Sequence, residues 1–267
     1  MFIIGEKLNS SIPKTGEAMK TFDRDYLARL IEAQAEAGAD CLDINTAACG
    51  AERETELMLK IIEMALEGSD CSIMPDSPDP SVIKAAAAVI KGREFIINSV
   101  TVSERIDELA PLAAEHNAGV VVLPLAGGGI PGDVDERVEN ALAAAAKLTA
   151  AGVKKDKIYI DAIIEAISTS DNGALTALDT IRGIKAADPE LKTVCGLSNV
   201  SFGLPKRASL NAAFLSMAVL YGLDAAIIDV LPNKNGESIL QTLYAAKALA
   251  GRDEYCMDYI TYIRSLQ

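Results

Sequence analysis

Eight short, apolar, β-type runs alternate with longer Ala-rich or amphipathic runs along this 267-residue chain. That rhythm restricts it to a parallel sheet with helical crossovers. Strands are expected near residues 2–5, 41–45, 71–75, 95–98, 120–125, 158–161, 193–197 and 225–229. Each leads toward a helix, expected over 25–37, 52–67, 80–90, 102–117, 134–151, 174–187, 209–221 and 237–249. Gly38, Gly119, Gly152 and Gly222 stand where left-handed caps would end helices, and Asp79-Pro80 and Ser103-Glu104 resemble helix starts. With no Pro/Gly-rich linker between units, the chain predicts a closed (β/α)8 TIM barrel, one domain over 1–267, rather than a doubly wound open sheet. Such barrels commonly reach about 250 residues. Residues 253–267 read as an extra C-terminal helix.

In this barrel the active site forms at the C-terminal ends of the strands. Five strand candidates run into polar side chains there: Leu42-Asp43-Ile44-Asn45, Met74-Pro75-Asp76-Ser77, Ile97-Asn98-Ser99, Tyr159-Ile160-Asp161 and Gly196-Leu197-Ser198-Asn199. Asp229 ends the last strand. The expected fold thus gathers carboxylates and amides into one cup, which suits a planar ligand rich in N–H donors and ring-nitrogen acceptors and suits phosphate poorly. Asp and Asn also serve loops and caps, so each residue alone has a purely structural alternative. Partly buried Asp76 and Asp161 are costly as charges unless a ligand or neighbour supplies donors.

Other chemistries find less support. The net charge of −13 opposes the basic footprint needed for nucleic acid or an anionic membrane surface. Cys41, Cys49, Cys71, Cys195 and Cys256 are scattered without a C-x-x-C pair, and His116 is the sole histidine, so no metal site is expected. A two-carboxylate glycosidase would want aromatic platforms, and aromatic residues make up only 4% of the chain. Gly127-Gly128-Gly129 lacks the Lys-Ser/Thr ending of a P-loop and reads as a loop at the barrel mouth. Lys206 and Arg207 suit either an anionic ligand tail or a solvated helix start. The N-terminus carries no secretory pattern, the longest apolar region is broken by Ser216, Gly222 and Asp224, and a cytoplasmic protein is expected.

Ile4-Gly5-Glu6-Lys7-Leu8-Asn9, the strand ends above, Gly196-Leu197-Ser198-Asn199-Val200-Ser201 and Gly222-Leu223-Asp224-Ala225-Ala226-Ile227 together resemble the pterin-binding methyltransferases that move a methyl group between tetrahydrofolate and a corrinoid protein. The resemblance covers essentially the whole chain, and the Gly196–Ser201 segment is its most specific part. It implies a pterin held by Asp76, Asn98 and Asp161, with Ser198 and the Gly196 backbone lining the pocket and Asn199 hydrogen-bonding N5, the methyl-bearing nitrogen. Glu6, Asp43 and Asn45 are implied as supporting residues, and Arg207 matches a family arginine. It further implies tetrahydrofolate or 5-methyltetrahydrofolate as substrate, cobalamin carried by a separate protein, and a homodimer.

Two positions depart from the acetogenic branch of that family: Leu123-Pro124-Leu125-Ala126 replaces a Thr-Met-Asn-like strand end, and Phe202 replaces a polar residue. Both lie where substrate tail and corrinoid would meet. They favour tetrahydrofolate as methyl acceptor in a demethylation pathway. The rivals are a dihydropteroate synthase-like enzyme, whose basic diphosphate site is not found here, and a non-catalytic pterin-binding subunit.

Overall fold

A computed structural model of the protein describes residues 1–90, 92–127, 129–233 and 236–266. Its eight strands are β1 (Phe2–Asn9), β2 (Cys41–Asn45), β3 (Ser72–Asp76), β4 (Ile96–Thr101), β5 (Gly119–Leu123), β6 (Ile158–Asp161), β7 (Lys192–Gly196) and β8 (Ala225–Ile228). They pair in parallel in chain order, and β8 returns to β1 to close the barrel. Around it lie α1 (Pro13–Thr21), α2 (Arg24–Glu36), α3 (Ala51–Gly68), α4 (Pro80–Val89), α5 (Ile106–Glu115), α6 (Val134–Ala150), α7 (Gly173–Ala187), α8 (Arg207–Tyr221), α9 (Ile239–Leu249) and α10 (Met257–Ser265). The expected TIM barrel and C-terminal helix are both present; Gln267 lies outside the described residues.

Successive strand side chains point to opposite faces, so one face of each strand meets the helices and the other fills the barrel. Inside, Ile4, Cys41, Met74, Ile96, Val121, Val194 and Ala225 form a buried plug, with Phe2, Tyr159 and Ile227 packed against it. The plug has a direct consequence for the site. Two residues further along their strands, on the same face, come Asp43 after Cys41, Asp76 after Met74, Asn98 after Ile96, Asp161 after Tyr159 and Gly196 after Val194. Alternation therefore stacks a polar layer on an apolar floor.

Several boundaries differ from the expectations, each for a local reason. β1 continues four residues past Gly5 because its pairing with β2 shifts register between Gly5 and Leu8. The shift is a bulge, and Gln34 of α2 supports it by accepting the Lys7 N–H at 2.9 Å. α1 was not expected; it starts on Pro13 and is short of apolar residues. α5 begins at Ile106 rather than 102, because Thr101 Oγ1 accepts the Glu104 N–H and Arg105 enters the left-handed region, so Ser103 caps nothing. Asn117, at φ 48°, makes the left-handed turn assigned to Gly119, while Gly119 opens β5. Asp79 does cap α4, accepting from the Ser81 N–H at 2.8 Å. Among the described residues no helix is long and apolar enough to cross a membrane. Cys41, Cys49, Cys71 and Cys195 are buried thiols and Cys256 is exposed.

Candidate functional site

The polar layer holds two hydrogen-bonded pairs on neighbouring strands. Asn45 Nδ2 donates to Asp76 Oδ2 at 2.7 Å, and Asn98 Nδ2 reaches Asp43 Oδ1 at 3.5 Å. Register places these groups side by side, since Asn45 pairs with Asp76 across β2 and β3 and Asp76 with Asn98 across β3 and β4. From the β1 side, Ser10 Oγ donates to Asn45 Oδ1 at 3.2 Å. That oxygen also accepts the Ala47 N–H, so the Asn45 amide is oriented with its nitrogen toward Asp76. The β4 strand carries a cis peptide between Asn98 and Ser99 at this level.

The opposite half of the rim is built on β1, β7 and β8. Ser198 Oγ donates to Glu6 Oε1 at 2.7 Å, joining the 3₁₀ turn after β7 to the β1 bulge. Lys7 Nζ pairs with Asp229 Oδ2 at 2.5 Å, spanning β1 and the end of β8. Asn199 lies on that turn with its amide over Gly196, where a Cβ would stand 3.2 Å from Nδ2. Glycine at 196 thus leaves the amide its place, and Asn199 is exposed at the mouth. Arg207, at the start of α8, bonds the same turn, donating from Nη2 to the Ser198 carbonyl at 2.5 Å and from Nε to Ser201 Oγ at 3.0 Å. Gly127 and Gly129 are exposed in the loop after β5, and Gly128 lies outside the described residues.

Electrostatically the cup favours proton donors. Burial pushes the Asp161 carboxyl up to about 6, against the opposing pull of the Ile163 N–H and of the Arg137 charge. Asp43 is raised well above the ordinary carboxylate range by burial and by neighbouring Asp76, with Asn98 opposing. Burial likewise raises Asp76, with the Asn45 amide and Arg105 opposing, and raises Glu6 against its Ser198 hydrogen bond. Four carboxyls with too few donors lower their energy when a ligand brings N–H groups. Among the described residues no group of three or more His, Cys, Asp or Glu is arranged to hold a metal ion.

The strand-end residues expected from the sequence, Glu6, Asp43, Asn45, Asp76, Asn98, Asp161, Gly196, Ser198, Asn199 and Asp229, lie at this rim, and Arg207 braces it, whereas Lys206 is an exposed residue at the start of α8. Sequence reasoning missed three supports. Lys7 follows Glu6 on the bulge, which strict alternation would have turned away from the rim. Ser77 donates to buried Glu54 at 2.6 Å behind Asp76. Arg137 is fully buried on α6, although the Val-Asp-Glu-Arg-Val-Glu-Asn run around it reads as a solvent face.

Known proteins share this plan. Over residues 5–229 the chain matches the model of a family described as pterin binding enzyme. It is 31% identical over 262 residues to a methylcorrinoid:tetrahydrofolate methyltransferase of Eubacterium limosum, covering 97% of this chain and 94% of that protein. It is 30% identical to methionine synthase of Mycobacterium leprae across 91% of this chain, which spans only 22% of that much longer enzyme. Solved dihydropteroate synthases share the fold: the Xanthomonas albilineans enzyme superposes with a TM-score of 0.70 at 20% identity, covering 93% of both chains. The Stenotrophomonas maltophilia enzyme gives 0.68 at 21%, covering 93% and 92%. With its barrel, its acid-and-amide rim and a family match extending from β1 to the end of β8, this chain belongs to the pterin binding enzyme family.

Proposed function

We propose that this chain is a methyltransferase that moves a methyl group between N5 of tetrahydrofolate and the cobalt of a corrinoid held by a separate protein, with tetrahydrofolate as acceptor. The observation that carries the reading is the gathering of Asp43, Asp76 and Asp161 with Asn45, Asn98 and Asn199 on one rim above an apolar floor. A pterin ring fits that donor deficit, because its amino group and ring N–H donate while its ring nitrogens accept. The methylcorrinoid:tetrahydrofolate methyltransferase relative supports both the reaction and its direction.

In this reading Asp76, Asn98 and Asp161 hold the pterin edge, and Asp43, Asn45 and the Ser198–Glu6 pair hold those side chains in place. A methylcobalt(III) corrinoid supplies the methyl group and keeps the bonding electron pair as cobalt(I). The N5 lone pair forms the new N–CH₃ bond, and the N5 proton leaves to water at the rim. Asn199 serves N5 there, since an amide both donates and accepts and needs no titration to do so. Arg207 fixes the turn that carries Asn199.

The reading also includes one domain over 1–267, no resident metal, a cytoplasmic setting and a homodimer. Exposed Met217 and Leu220 on α8 support an apolar contact between copies.

The test mixes the purified protein anaerobically with tetrahydrofolate and free methylcobalamin or methylcobinamide, following the corrinoid spectrum. Demethylation of the corrinoid with equimolar 5-methyltetrahydrofolate is expected. Tight folate binding without transfer would point to a non-catalytic pterin-binding subunit, and absence of folate binding would overturn the reading.

A further inference from the structure

One charged side chain behind the cup is wholly enclosed. Arg137 donates from Nε to the Pro131 carbonyl at 2.7 Å, from Nη1 to the carbonyls of Ala162 at 3.0 Å and Ile163 at 2.9 Å, and from Nη2 to the Glu165 carboxylate at 3.0 Å. Pro131 belongs to the loop after β5, whereas Ala162, Ile163 and Glu165 follow Asp161 directly in the loop after β6. A single guanidinium therefore joins two neighbouring rim loops, and it grips the second at the residues that set the path of the chain leaving Asp161.

That path is unusual. Ile163 is β-branched yet sits in the left-handed region at φ 47°, which such residues rarely adopt. Its N–H donates to Asp161 Oδ1 at 2.7 Å, so the orientation of the carboxylate depends on Ile163 keeping this conformation. Arg137 bonds the carbonyls on both sides of the Ile163 N–H. Burying a guanidinium is costly unless its donors are matched, and apolar packing would join two loops at less cost. What packing cannot supply is a positive charge facing Asp161.

We propose that Arg137 is a positioning residue for Asp161: it ties the β5 and β6 loops so that this carboxylate faces the cup, and it supplies the charge that favours the ionised, hydrogen-bond-accepting form. The ligand half of the inference rests on the pterin reading; the effect on Asp161 does not. The titratable groups facing Asp161 are Arg137 from α6 and the Cys195 thiol from β7, with Glu165 behind the guanidinium. β5, the neighbour of β6 in the barrel, is Gly-Val-Val-Val-Leu and carries no titratable group.

The test titrates Asp161 by carboxyl ¹³C NMR, assigned with Asp161→Asn, in the wild type and in Arg137→Met, Arg137→Lys and Glu165→Gln. Arg137→Met should raise the Asp161 midpoint by roughly one pH unit, as expected for loss of a nearby opposite charge. Glu165→Gln, at a partly exposed site, should lower it by unmasking the guanidinium. Arg137→Lys should leave the midpoint near wild type but weaken tetrahydrofolate binding about tenfold, because an ammonium cannot span four acceptors fixed by a planar fork. An Asp161 midpoint unmoved by both Arg137→Met and Glu165→Gln, or wild-type folate affinity in Arg137→Lys, would overturn the proposal. If Arg137→Met does not fold, the other two variants decide. A wild type that binds no tetrahydrofolate would sink the pterin reading while the NMR titrations still decide the link between Arg137 and Asp161.

Discussion

Asn199 has few anchors of its own: it is exposed and placed over Gly196 by the turn that Arg207 and Ser198 hold. Removing one hydrogen-bonding group aimed at a developing charge typically costs on the order of 10²–10³ in rate. Asn199→Ala should therefore slow methyl transfer by about that factor with a milder loss of tetrahydrofolate affinity, and stopped-flow corrinoid absorbance separates the two. Asp161 should behave in the opposite way. Its carboxyl is raised to about 6 by burial, so near pH 7.5 the folded protein carries a charge that the unfolded chain would hold at lower cost. Asp161→Asn should stabilise the ligand-free protein by about 1–3 kcal/mol while tetrahydrofolate affinity collapses, read by thermal melts beside calorimetric titration. A fall in the ligand-free melting temperature would contradict this. Asp161 was legible because it closes a short apolar run, and Asn199 because its segment resembles a family signature. Arg137 was not, since three acidic neighbours within the surrounding run disguise a buried position as a wet one.

At the scale of elements, the part hidden from the sequence is the stretch from Gly5 to Thr21. Charged Glu6-Lys7 ends the apolar signal of β1 just where the bulge lets the strand continue, and periodicity cannot register an inserted residue. α1 buries only Thr15, Gly16, Ala18 and Met19, too little apolar patterning to announce a helix. Its position nonetheless matters to the cup. A Cβ on Gly16 would lie 2.3 Å from the Ser10 carbonyl oxygen, and Ser10 holds the Asn45 amide that reaches Asp76. Gly16→Ala should push α1 from β1, costing roughly 1–3 kcal/mol as overpacking does and loosening folate binding through Asn45. Denaturant melts and folate affinity measured on one preparation would show both effects together. A neutral Gly16→Ala would mean that α1 and the Asn45 chain are uncoupled. The strands themselves were easy to place, because β-branched and apolar runs are what a barrel wall requires on both faces.

For the whole molecule, four raised carboxyls add to one pH response with two opposite signs. Glu6, Asp43, Asp76 and Asp161 all take up protons more readily folded than unfolded. Their protonation thus favours the native state, an advantage lost as pH rises through the folded values. The ligand-free protein should melt higher at pH 5.5 than at pH 7.5. Folate needs the ionised acceptors, so its affinity should rise with pH across the same interval, the Asp161 contribution changing most near pH 6. Parallel trends in melting and affinity would show that the rim does not recognise N–H donors through carboxylates. The closed barrel was legible as eight repeats, yet the pairing of Asn45 with Asp76 and Ser198 with Glu6 required the register between strands that only closure defines.

The plug of Ile4, Cys41, Met74, Ile96, Val121, Val194 and Ala225 closes the barrel floor beneath the rim. In the proposed reaction, two reactants that share the rim as entrance must queue: the small one descends first, and the bulky methyl carrier then stands over it until exchange is finished. Kinetics in which a large excess of carrier slows turnover, by shutting the doorway before folate has entered, are the traffic pattern such a dead-end chamber imposes.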